Sequence, residues 1–530
     1  MASERSIHLL LGHADDRSPV LGEGLPAEAE ETGIGEGEAE PPLVGADALA
    51  ESGWGVVAPS GEVGDAMLTA IAPLLAHREA GLGRAVRVVR APAGLRDDEA
   101  AGWRREVYDV EAGSPRFRLI LGDLDQVSLA VQEAVTPGGA VGRLACADLV
   151  GYERYAAKVV AWERAAPPPG VALALYHTVH DGSAATALGR RTLAQPLVAL
   201  AREGMRRGRF PGQVIELGDP DEADPEDLLE GAEAYGGVLF SLGLGEGAPR
   251  AGWRSPIERR RGQGAIAFGR AGSVRAGDLA LRPFVPGGVW WLCASFGAGT
   301  PARSRYERWL ARVAAAAPTG PLGALLEALP RGDDRPFVAA LPKAALANLA
   351  GPLAVVAPLD LAWVHGLGAN EVGRGERVRR THAFIRAILR GEPVGAAFRG
   401  LGGQGEAGGG RRGEGGRWLL RHEVASLMLL GDPAVRLPRA GGTAGREGAW
   451  GVGPAPVDTP VGHMAGEARP AIDAASVEAA IHAILADDDE ALHAHLDRLG
   501  VDLATVRGWM EVYAAAWREA VARALATARE

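Results

Sequence analysis

Short apolar runs, each broken by a glycine or polar turn, constrain what this chain can fold into more than any other feature. Phe117–Leu121 ends in Gly122-Asp123, and Val171–Tyr176 is closed by His177–Ser183. Val238–Leu242 runs into Gly243-Leu244-Gly245, Val289–Cys293 breaks into Ala294-Ser295-Phe296-Gly297, and Leu353–Pro358 leads to Asp360. Runs of that length suit buried strands. Helical spacing appears at Asp65–Ala80, Tyr152–Arg164, Ala184–Arg207, about 303–316 and Glu376–Arg390. Trp54–Ala58 and Arg84–Arg90 read as further strands, Gln126–Val135 as a crossover helix or loop, and Pro336–Leu341 as a piece leading a short helix. Strands alternating with helices predict an α/β sandwich with a mainly parallel sheet. In such sheets ligands sit beyond the carboxyl ends of the strands. Leu244 and Ser295 both fall there.

At 530 residues the chain can hold two or more domains. Its net charge of −11, without a strong Lys/Arg run, argues against a nucleic-acid surface. No apolar stretch approaches the roughly 18 residues of a membrane span. The run Ile7–Leu11 is too short and interrupted for a secretory segment. Cys146 and Cys293 make no disulfide framework, so a reduced, cytoplasmic protein is expected. No zinc set stands out, and Gly402–Gly416 lacks a P-loop lysine in register. No metal or cofactor is expected.

The composition divides the chain into five parts. Residues 1–52 form an N-terminal segment whose stretch 14–46 is acidic and reads as a flexible, solvated loop. Residues 53–165 form an N-terminal α/β subdomain and 166–440 the main domain, whose last element Ser426–Pro438 ends in a fixed turn. Residues 441–473 are a Gly/Pro-rich linker, and 474–530 a helical appendage with helices at Ala474–Ala486, Glu490–Arg498 and Leu503–Thr527. Trp509, Tyr513 and Trp517 share one stripe of the last helix, which suits either a self-contained helical core or a docking face for a protein partner. His482, His493 and His495 read as solvent-side.

The order of blocks resembles that of caspase-fold cysteine peptidases of the gingipain and CHAT-domain type, in a bacterial branch. The blocks are Leu119–Asp123, Val141–Leu144, Tyr152–Val160, Phe296–Pro301, Pro336–Pro342, Leu353–Val356 and Leu430–Pro438. They cover roughly residues 80–440. The resemblance implies a caspase-like α/β/α sandwich over 166–440 and a catalytic histidine and cysteine at the ends of neighbouring strands. Imidazole takes the thiol proton, the thiolate attacks a peptide carbonyl, and backbone N–H groups of the glycine turns receive the oxyanion. The histidine position matches Leu244 and the cysteine position Ser295, 51 residues apart. Gly243, Gly245, Phe296 and Gly297 are the implied turn residues. Both catalytic residues are therefore replaced. A leucine cannot move a proton, and without a base the general-base contribution of roughly 10²–10⁴ disappears. The chain reads as a peptidase homologue that has lost catalysis and acts by binding a peptide or protein.

The alternative is an active cysteine-type endopeptidase using Cys293, or Ser295, as nucleophile with His177 or His180 as base. Cys293, two residues before Ser295, is either a substitute nucleophile or a buried core cysteine. His177 and His180, beside Asp181, are either substitute bases or part of a capping turn. Asp360 and His365 either line a vestigial pocket or belong to a surface loop. Arg143 and Asp432 read as structural, anchoring turns.

Overall fold

The computed structural model describes residues 6–26, 52–108, 115–165, 172–219, 222–234, 236–280, 282–316, 321–332, 335–365, 371–402 and 422–437. The chain divides into two compact units, Met1–Ala455 and Pro456–Glu530, and every described residue belongs to the first. The linker and the C-terminal helices lie outside the described residues, as do 27–51 and most of 402–416.

The strands in chain order are β1 (Ser6–Leu9), β2 (Leu11–Gly12), β3 (Leu25–Pro26), β4 (Trp54–Pro59), β5 (Arg87–Ala91), β6 (Phe117–Leu121) and β7 (Ala140–Leu144). They continue with β8 (Leu173–Thr178), β9 (Gln213–Leu217), β10 (Val238–Leu242), β11 (Leu244–Glu246), β12 (Ile266–Ala267) and β13 (Ser273–Val274). The last are β14 (Val289–Cys293), β15 (Gly299–Thr300), β16 (Phe337–Val338), β17 (Ala354–Pro358), β18 (Trp363–His365) and β19 (Leu427–Gly431).

Ten of these strands form one sheet in the order β5-β4-β6-β7-β19-β17-β14-β10-β8-β9. Each half runs parallel, and the halves meet at the antiparallel pair β17–β19. This is the α/β class with a large, mainly parallel central sheet that the alternating pattern predicts. The strands β4–β7 of the 53–165 segment and the later strands belong to one continuous sheet, with β19 closing the seam. Its apolar core is continuous across the sheet. The helix Glu371–Leu389 packs on one face, where Phe384 meets Trp291 edge-on at 4.9 Å between ring centroids. Among the described residues no helix is long and apolar enough to cross a membrane.

The seam is held by buried charge. Asp432 accepts hydrogen bonds from Trp54 Nε1 at 2.8 Å and Arg78 Nε at 2.9 Å, and Arg78 also forks onto Glu163. The fully buried Arg143 donates to the carbonyls of Gly122 and Asp123. Both residues anchor turns.

Local corrections have physical causes. The segment Asp65–Ala80 splits into helices Glu62–Ala70 and Ala72–Leu82 around Ile71, with Pro73 opening the second. Ala184–Arg207 carries a wide turn, Arg190–Ala194, just before Pro196. The strand expected to stop at Tyr176 starts two residues later and continues to Thr178, so His177 is a strand residue, not part of a turn. Residues 14–26, expected as solvated loop, hold a fixed turn: Asp16 accepts from Arg250, Arg17 Nε donates to Ser273 Oγ at 2.7 Å, and Leu21 and Leu25 are buried.

Candidate functional site

The strands β10 and β14 are adjacent and parallel, with Leu242 beside Cys293. Their carboxyl ends therefore bring Gly243-Leu244-Gly245 next to Ala294-Ser295-Phe296. Gly245 and Ser295 touch through their backbones: a Cβ on Gly245 would stand 1.9 Å from the Ser295 carbonyl oxygen. Only glycine fits that approach. Phe296 adopts φ +59, a left-handed conformation unusual for a bulky residue, at the point where the chain turns away from the sheet.

Two amide donors converge here. The N–H groups of Gly245 and Ser295 both donate to one acceptor, the carbonyl oxygen of Leu10, at 3.0 and 3.1 Å. The same residue is held through its other backbone group, since Leu10 N–H donates to the Ala362 carbonyl at 2.8 Å. Ala362 N–H in turn donates to Ser295 Oγ at 2.9 Å, which commits that hydroxyl as a structural acceptor. Leu244 and Ser295 are both wholly buried. Leu244 Cδ1 lies 3.5 Å from where a Cβ of Gly12 would stand, so the leucine packs on the N-terminal segment.

That segment enters the site as a strand. β1 pairs antiparallel with β18, and β2 pairs parallel with β11. Its side chains alternate as a strand requires. Ile7, Leu9 and Leu11 enter a cluster with Phe296, Tyr306, Trp309 and Trp363, while Leu10 enters the main core. Burying four aliphatic side chains contributes on the order of 6–12 kcal/mol as an upper bound. A polar clamp fixes the following turn: the buried Glu246 accepts from Ser273 Oγ and from Arg275 Nη2 at 2.9 Å, and Ser273 accepts from Arg17.

The remaining sequence-derived candidates fall elsewhere. Gly243 N–H donates to the Cys293 carbonyl, Phe296 N–H to the Asp360 carbonyl and Gly297 N–H to the Ala294 carbonyl, so none of the three amides joins the pair on Leu10. His177 lies beside Ser241, which lies beside Leu292, whereas Cys293 lies beside Leu242. In-register neighbours of a sheet share a face, and successive residues alternate. His177 and Cys293 therefore point to opposite faces. His177 packs on the Phe268 ring at 5.6 Å, its Nδ1 has no hydrogen-bond partner among the described residues, and burial with nearby His180 pushes its pKa down to about 3. His180 Nδ1 sits 3.4 Å from Arg190 Nη1. Asp181 accepts from Ser183 N–H and Thr186 Oγ1 and orders the turn that opens the helix Ala184–Gly189.

Cys293 faces the helix Glu371–Leu389, with Arg377 Nη2 3.7 Å from its sulfur. It borders a pocket of about 50 Å³ shared with Trp291, Trp363, Arg377 and Glu423. Burial pushes the thiol up to about 11. His365 does not line this pocket and contacts it only through Glu423, with Nε2 3.2 Å from Glu423 Oε1. Asp360 is buried and accepts from Ser304 Oγ and the N–H groups of Arg305 and Leu361, and burial raises its pKa to about 6. It braces the loop that carries Ala362. Among the described residues no group of three or more His, Cys, Asp or Glu could hold a metal ion.

Sequence reasoning missed Leu10 and Ala362, the two residues that complete the site. The short apolar run Ile7–Leu11 was the available signal, and it carries no clean alternation.

No family model matches the chain, and no curated protein matches its sequence. Among solved structures it is similar to the Arg-specific cysteine proteinase gingipain R, with 11% identity and a TM-score of 0.45 over 75% of this chain and 80% of that one. It is also similar to a structure described as a protease, with 13% identity and a TM-score of 0.45 over 75% and 80%. A third is the complex of Porphyromonas gingivalis RgpB pro- and mature domains, with 11% identity and a TM-score of 0.43 over 72% and 79%.

Proposed function

We propose that the chain is a caspase-like, gingipain/CHAT-type peptidase homologue that is catalytically inactive and acts by binding a peptide or protein. The observation that carries this reading is the carbonyl of Leu10 on the amides of Gly245 and Ser295, with Leu244 packed beside them. Converging backbone donors at the ends of two strands are what stabilises an oxyanion in acyl transfer. Here they hold a carbonyl of the chain itself, and the neighbouring side chain has no basic atom. Ser295 Oγ accepts the Ala362 amide, and among the described residues no base takes a hydrogen bond from it. Cys293 and His177, on opposite faces, make no nucleophile–base pair. A protein partner docks through the C-terminal helices expected over 474–530, and the protein works in the reducing cytoplasm.

A peptide-based, thiol-directed covalent probe tests this by intact mass. No adduct is expected at neutral pH. Selective labelling that vanishes in Cys293→Ala overturns the reading.

A further inference from the structure

The two amides on Leu10 belong to a larger recognition surface. Gly247 N–H donates to the Gly12 carbonyl at 2.7 Å, and Ala362 takes the Leu10 N–H. Ile7, His8 and Leu9 pair with His365, Val364 and Trp363. The backbone of residues 6–12 is thus paired along its length, with β18 and Ala362 on residues 7–10 and β11 and Gly247 on Leu11 and Gly12, while the chain's own next stretch joins at both ends, β3 on Ser6 and Ile7 and Val20 N–H on the Leu11 carbonyl. Strand addition of this kind draws affinity from main-chain hydrogen bonds and specificity from pockets for alternate side chains. The pockets are present: an aromatic one takes Ile7, Leu9 and Leu11, and the main core takes Leu10. Leu11 also covers Gly247, where a Cβ would lie 2.9 Å from Leu11 Cδ1.

None of these contacts belongs to the ten-stranded sheet. β1 and β2 pair only within two smaller sheets, β18-β1-β3 and β13-β12-β11-β2. Removing the segment leaves every pairing of the central sheet intact and exposes a groove with donors, an acceptor and apolar pockets already in place.

We propose that this groove is a peptide-binding site for an extended segment with aliphatic side chains at alternate positions, and that residues 6–12 are its resident, exchangeable occupant. The inference rests on the reading of the protein as a binding homologue and names what its cleft holds. A competing strand must offer the same backbone register, a carbonyl at the Leu10 position and a small residue at the Gly12 position beside Leu244.

The test uses the full-length chain carrying Leu9→Asp and Leu10→Asp, which strips its own strand of two buried contacts. A fluorescent peptide with the sequence of residues 6–12 is titrated into it and into the wild type, followed by anisotropy. Saturable binding to the variant, at least tenfold weaker binding to the wild type, and at least tenfold loss when the peptide carries the same two aspartates support the proposal. A variant that unfolds cooperatively yet binds no peptide overturns it. Should the variant fail to fold, hydrogen exchange on the wild type decides. The amides of Leu9–Leu11, Gly245, Ser295 and Trp363–His365 are expected to exchange together while those of β10 and β14 stay protected. Exchange of all of them only with global unfolding overturns it. Either failure leaves the absence of hydrolysis untouched, and hydrolysis would sink the catalytic reading without bearing on exchange.

Discussion

Gly245 and Ser295 stand back to back at the ends of neighbouring strands, with room between them for a hydrogen and nothing larger: a Cβ on Gly245 would meet the Ser295 carbonyl oxygen at 1.9 Å and its amide nitrogen at 2.9 Å. Both obstructing atoms are backbone, so neither can swing aside. Gly245→Ala must push the two turns apart and separate the amides that share Leu10. The expected result is a loss of roughly 2–4 kcal/mol in urea unfolding, from overpacking and two broken hydrogen bonds. An unchanged midpoint would mean the two turns are not in contact.

Lys158 is buried beneath the end of the helix Ala340–Ala347. Its Nζ donates to the carbonyls of Leu346, Asn348 and Pro352 at 2.6, 2.9 and 2.7 Å. A cation among a helix's last carbonyls satisfies acceptors that have no intrahelical partner. Lys158→Met keeps the stem and removes the donor from the Leu346 and Pro352 carbonyls, while the Asn348 carbonyl keeps the Gly351 N–H. A stability loss of about 2–4 kcal/mol is expected in thermal or urea unfolding.

Acid should weaken the fold through His177. Its pKa is pushed down to about 3 in the native state against 6.5 for a free histidine, chiefly by burial. Between those values the unfolded chain binds a proton that the native chain refuses. Stability is therefore complete above pH 6.5 and falls as pH drops toward 3, by up to about 1.4 kcal/mol per pH unit for this one proton. Urea midpoints measured at pH 7.5, 5.5 and 4.5 should show that decline. In His177→Phe the decline should be shallower by close to one proton, and equal slopes would contradict the assignment.

Much of the central sheet was legible because its strands are uninterrupted buried runs. Phe117–Leu121, Val238–Leu242 and Val289–Cys293 were read to the residue. The register placing Leu244 and Ser295 at neighbouring strand ends could also be read, since both follow such runs directly. The occupant of the site could not. β1, β2, β11 and β18 are two to four residues long and gain their order from long-range partners, so local periodicity hardly marks them. β9 is half-exposed and lacks an apolar run, and it too escaped notice. His177 was misplaced because a histidine after an apolar run looks like a turn residue, whereas here the strand continues through it and buries the ring on Phe268.

Peptide hydrolysis by the full-length protein tests the absence of a working nucleophile–base pair most directly. The wild type, Ser295→Ala, Cys293→Ala and the double variant Leu244→His/Ser295→Cys are assayed side by side on a mixed peptide library, with cleavage read by mass spectrometry. The wild type and both alanine variants should show no turnover above buffer, and the double variant should cleave only peptides that displace residues 6–12 from the Gly245 and Ser295 amides. Wild-type cleavage abolished by Ser295→Ala or by Cys293→Ala would contradict the account.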